Sequence, residues 1–123
     1  MTKLEIRRVY ETPSDDDGFR VLVDRLWPRG LTKDKARVDL WAKEIAPSDE
    51  LRKAFGHEAD RWDDFRERYE AELRDKDEAV ERVVEELRKH RRVTLLYGAR
   101  EERCNNAAVL SDYLGRRLAK DRR

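Results

Sequence analysis

The chain has 123 residues, 46% of them charged and 38% apolar, but 29 basic side chains nearly cancel 28 acidic ones and leave a net charge of +1. That balance excludes the broad single-sign field of a dedicated nucleic-acid coat, and three Trp, four Tyr and three Phe need a core, which excludes a disordered charged tail. One cysteine, Cys104, excludes an internal disulfide, and no apolar run nears the ~20 residues of a membrane span.

The opening MTKLEIRRVY lacks the apolar centre of a signal peptide, so a cytoplasmic protein without membrane contact is expected. The length fits a single domain over residues 1–123, able to bury roughly two thirds of its unfolded surface.

Residues 4–10, LEIRRVY, alternate partially and carry β-formers, so they read as a strand with one solvated face. TPSDDDG at 12–18 is a turn cluster; three adjacent aspartates lack the alternating ligands and following Glu of a calcium loop. Phe19 to Val23 is nearly continuous in apolarity, as in a strand covered on both faces. Thr32 is placed to cap one helical turn ending near Arg37. Residues 38–46 mix strand-like alternation (Val38, Leu40, Ala42) with a helical Trp41–Ile45 spacing, and the strand is preferred.

Helices follow. Ser48 with Asp49 and Glu50 is a start signal. Trp62, Phe65, Tyr69 and Leu73 mark the apolar face of one helix; Ala79, Val80, Val83, Val84 and Leu87 mark another. Val93 to Tyr97 is a second buried strand, broken by Gly98, and Ala107, Leu110, Leu114 and Leu118 line a closing helix. The order predicts a small single-domain α/β fold: three layers, with a mostly parallel sheet flanked by helices. Its two buried strands should be parallel neighbours or near neighbours.

Ligands of open α/β sheets bind beyond the carboxyl ends of the strands. Both buried strands end in polar sequence, Asp24-Arg25-Leu26-Trp27-Pro28-Arg29-Gly30 and Gly98-Ala99-Arg100 running on to Cys104-Asn105-Asn106. Arg25 and Arg29 suit a carboxylate or phosphate. Asn105 or Asn106 can cap the last helix, whose entrance also favours an anion. Trp27 offers a flat wall for a ring, and Asp24 a base or orienting group. Together they predict an anionic or nucleotide-like ligand, with Asp24 and Cys104 as the candidate catalytic groups if there is a reaction.

Each residue has a plainer role: Asp24 in a salt bridge with Arg25 or Arg29, Trp27 as core filler, Asn105 as a simple helix cap. An arginine at the third position of a turn opening on Trp27 leaves that turn's type open. His57, His90 and Cys104 are too far apart in sequence to argue for a metal, and no phosphate-loop or nucleophile-elbow pattern occurs, so no metal or cofactor is expected. Two alternatives compete with the small-molecule site. One is nucleic-acid binding through Arg20, Arg25, Arg29, Arg37 and Trp27. The other is a non-catalytic interaction module using the aromatic face around Trp62, Phe65 and Tyr69. Oligomeric state is not legible.

VDRLWPRG at 23–30, WAKEIAPSDELRKAFGH at 41–57, the aromatic spacing from Trp62 to Leu73, and LLYGAREERCNNAAVLSDYL at 95–114 resemble the YeaO-like branch of the domain of unknown function 488 family. The resemblance spans almost the whole chain. It implies a small cytoplasmic α/β protein and assigns no catalytic residue. Members usually carry a histidine where this chain has Cys104, and a Cys-His-Arg run occurs in the wider family.

Overall fold

The computed structural model describes residues 2–55, 59–100 and 105–120. In chain order it contains β1 (Lys3–Arg8), β2 (Phe19–Leu22), α1 (Lys33–Ala36), β3 (Leu40–Trp41), α2 (Asp49–Phe55), α3 (Trp62–Asp75), α4 (Asp77–Leu87), β4 (Arg92–Tyr97) and α5 (Asn106–Lys120). The sheet has the order β1-β4-β2-β3 with every pair parallel. The two buried strands are direct neighbours, Phe19 opposite Val93 and Leu22 opposite Leu96. Their exits therefore lie side by side.

Side chains alternate across the sheet as strand geometry requires. Val21, Val23, Val93, Leu95 and Tyr97 join Phe65, Tyr69 and Leu73 of α3, Val80 and Val84 of α4, and Leu110 and Leu114 of α5 in the main core. Leu22 and Leu96 point the other way, into a smaller cluster with Val9, Ala36, Trp27 and Trp41. The second face is closed by the short α1 and the loop after β2, which completes three layers around the sheet. Among the described residues no helix is long and apolar enough to cross a membrane.

Local signals explain most boundaries. Ser14 caps a 3-10 turn over Asp15–Asp17, accepting from the Asp16 N–H while Asp17 reaches back to the Ser14 N–H at 3.0 Å. Thr32 caps α1 through the Lys35 N–H at 3.2 Å. Ser48 caps α2 through the Leu51 N–H at 3.1 Å, and its own N–H is held by Glu72 of α3 at 3.0 Å. Residues 38–46 are only partly strand: β3 is two residues long, and Lys43–Ile45 forms a 3-10 turn. Both local tendencies are thus realised in succession.

Arg20 is a buried cation in the middle of β2, 4% exposed. Its guanidinium pairs with Asp17 and donates to the carbonyls of Ala36 (2.8 Å) and Arg37 (3.1 Å). Arg7 takes the other Asp17 oxygen at 2.6 Å. Burial raises the Asp17 pKa, but the Ser14 N–H and the two guanidinium groups outweigh it and hold the carboxyl below its ordinary range. The aspartate turn is therefore a structural anchor for β1, β2 and α1.

Candidate functional site

Asp24 leaves the end of β2 one residue past the last ladder bond, Val23 N–H to the Leu96 carbonyl at 3.0 Å. Its Oδ2 accepts from the Gly98 N–H at 2.8 Å, and its Oδ1 accepts from the Asn106 side-chain amide at 3.0 Å. Asn106 Nδ2 also donates to the Val23 carbonyl at 2.9 Å. One carboxylate thus ties the β2 exit to the β4 exit and to the first residue of α5. Asn105 is the helix cap: buried at 2%, its Oδ1 accepts from the Ala108 N–H at 2.9 Å.

Burial raises the Asp24 pKa, and the Asn106 amide, the Gly98 N–H and the Arg52 charge offset this only in part, so the carboxyl stays above its ordinary value. The buried Tyr69 hydroxyl donates to the Ile45 carbonyl at 2.6 Å and is pushed well above its usual pKa, by burial first and then by Asp24 and Glu72.

Over these exits lies a cleft of about 600 Å³. Its floor includes Asp24, Gly98 and the two asparagines. Among the described residues four cations line it, Arg25, Arg29, Arg52 and Lys53, against the single carboxylate of Asp24. Leu26, Pro47, Phe55 and Phe65 supply apolar walls. The cleft cations are poorly neutralised. Among the described residues the carboxylate that Arg25 and Arg52 reach is Asp49, at 3.8 and 3.9 Å, and it is more than half exposed. Among the described residues no carboxylate pairs with Arg29 or Lys53. The Nε of Arg52 is buried without a hydrogen-bond partner. Several arginines elsewhere are closely paired: Arg66 with Asp112 at 2.7 Å, Arg116 with Glu70 at 3.0 Å, Arg117 with Asp77 at 2.7 Å.

Of the residues predicted from sequence, Asp24, Arg25, Arg29, Asn105 and Asn106 line this one cleft. Asp24 is bonded to neither arginine; its oxygens go to the backbone of Gly98 and to Asn106. Trp27 does not line it. The indole turns to the other face of the sheet, donates to the Leu31 carbonyl at 2.7 Å and meets Trp41 edge-on at 5.4 Å. That is the core-filling role, imposed by the need to cover Leu22 and Leu96. The expected turn runs one residue later, closed by the Leu31 N–H on Pro28, with Gly30 at its third position and φ +84°. Cys104 and His57 lie outside the described residues.

Arg20 does not join Arg25 and Arg29 in a surface patch, because Asp17 and two carbonyls hold it inside. Phe65 and Tyr69, expected either as core or as a partner surface, are core. Sequence reasoning missed Arg52, Lys53 and the Phe55 wall, all on α2. Nothing in DELRKAF marks them, since basic residues in a short amphipathic helix read as solvated. Among the described residues no Ser, Thr, Cys or His lines the cleft, and no group of three or more His, Cys, Asp and Glu is arranged to hold a metal.

An all-parallel α/β domain with a polar cleft at its strand exits defines the class. The chain belongs to the domain of unknown function 488 family, matching over residues 3–123 the group described as the inactive DUF488-N3 subclade. It is 45% identical over 111 residues to the uncharacterised protein YeaO of Escherichia coli, covering 90% of this chain and 96% of the relative. It is 42% identical over 116 residues to the uncharacterised protein Rv3073c of Mycobacterium tuberculosis, covering 94% and 97%. No solved structure matches it.

Proposed function

We propose that the protein is a non-catalytic binding module that holds a small anionic ligand in the cleft above β2 and β4. The observation that carries this reading is the concentration of poorly neutralised positive charge: among the described residues four cations and one carboxylate line the cleft, and Arg25 and Arg52 have only long contacts with the exposed Asp49. Asp24 does not satisfy them, since Gly98 and Asn106 already bond its oxygens. A buried guanidinium N–H without an acceptor costs ~1–3 kcal/mol, which an anion can recover. Arg52 is free to offer it, its one ion pair being a long contact with Asp49.

Binding without catalysis is supported by the side chains present. Among the described residues the cleft offers no hydroxyl, thiol or imidazole, and its one carboxylate is engaged in holding the strand exits together. The family description names an inactive subclade, in agreement with this reading. A nucleic-acid surface has less support, because Arg20 and Trp27 are used in the interior.

The test is a thermal melt in the presence of inorganic phosphate and pyrophosphate. Phosphate is expected to raise the Tm of the wild type, and Arg52→Gln and Arg29→Ala are expected to fold but to lose that shift. Arginine variants that fold and keep the full shift would rule the cleft out.

A further inference from the structure

The cleft is much larger than a tetrahedral oxyanion and lies within the ~300–1,000 Å³ range of small-molecule sites. Its walls differ in chemistry. Phe55 and Phe65 form a tilted ring pair with centroids 4.6 Å apart, and both line the cleft. They are nearly buried, whereas the cations Arg29 and Lys53 are exposed at the rim. Asp24, half-buried beside the asparagines, lines the cleft as well and repels negative charge. A bound anion therefore keeps its charged group outward, and whatever else it carries points inward.

Resting on the anion reading above, we infer that the ligand is a small aromatic compound bearing one anionic group, its ring against Phe55 and Phe65 and its charge on Arg29, Arg52 and Lys53. Aromatic pairs add to simple area burial through their edge and face electrostatics, so a ring is favoured over an alkyl chain of similar size. A dianion with charges at both ends is disfavoured, because its second charge would lie against the buried rings.

Calorimetric titration of the full chain with inorganic phosphate, butyl phosphate, phenyl phosphate and benzoate separates the possibilities. Phenyl phosphate is expected to bind at least about tenfold tighter than inorganic phosphate, and about threefold or more tighter than butyl phosphate. Benzoate tells which head group the cations take: binding stronger than that of phenyl phosphate assigns a carboxylate, weaker binding a phosphate, and either agrees with an aromatic anion. Phe55→Leu keeps the side chain apolar and is expected to bring the ratio of phenyl phosphate to butyl phosphate affinity down to about one. Equal affinity for all three phosphates, with Arg52→Gln still abolishing it, would overturn the aromatic assignment and leave the anion site standing. No binding of any of the four compounds would overturn both.

Discussion

Gly98 is tight for a side chain: a Cβ built there would stand 3.0 Å from Oδ2 of Asp24, the oxygen that takes the Gly98 N–H, so that carboxylate would have to give by a few tenths of an ångström. Gly98→Ala is therefore expected to push the carboxylate off its backbone donor and destabilise the fold by ~1–2 kcal/mol, read from chemical denaturation; an unchanged midpoint would show that Asp24 can move freely. Asn106→Asp sets a second carboxylate against Asp24, where an amide now donates at 3.0 Å. Two carboxylates in one site raise at least one folded pKa above its unfolded value. The native state then binds more protons than the unfolded state above ~pH 4, so stability falls as pH rises through that window. The variant's Tm deficit against the wild type is expected to be small near pH 4 and large at pH 7. A deficit independent of pH would mean that the two side chains are not in contact.

Among the elements, α2 matters most to the site because it brings Arg52, Lys53 and Phe55 to the cleft. At seven residues it is too short to be stable on its own. Ser48 and Glu72 hold its start. Ser48→Ala removes the Leu51 cap, at an expected cost of ~1–2 kcal/mol in the denaturation midpoint, and should weaken phosphate binding with it; retention of full affinity would show that α2 is positioned by packing alone. Gly18 is needed for a different reason: its φ is +67°, and a Cβ there would come within 2.3 Å of the Arg92 carbonyl on β4.

The elements were largely readable in the sequence because their causes are local. Caps at Thr32 and Ser48, the apolar periods of α3 and α4, and the two continuous strands each lie within a few residues. The meeting of the β2 and β4 exits followed from helical crossovers between parallel strands. Trp27 was ambiguous because one residue in a loop does not say which face of the sheet it covers. Arg52 was not readable at all: its charge is felt at Asp24 through the placement of α2 on α3.

For the whole molecule, two aspartates among the described residues carry pH effects of opposite sign. Asp24, held above its ordinary pKa, opposes stability once it ionises. Asp17, held below its ordinary pKa, adds stability above ~pH 4 that is lost as pH falls through its folded value. Asp17→Asn is expected to cost ~3–5 kcal/mol at pH 7, the cost of leaving a buried guanidinium unpaired, and much less at acid pH. Equal losses at pH 3 and pH 7 would contradict the assignment.

The same charge accounting bears on the proposed function. A chain with net charge +1 has no global attraction for anions, so on that proposal affinity comes from the poorly neutralised cations at the strand exits. The guanidinium Nε–H of Arg52 reports on this directly by nuclear magnetic resonance during a titration with phenyl phosphate. It is expected to shift saturably, in step with the backbone N–H groups of Arg29 and Gly98, while the paired guanidinium of Arg20 stays still. Saturable binding that moves Arg20 or the outer face of α5, and leaves Arg52 unmoved, would put the anion elsewhere on the molecule.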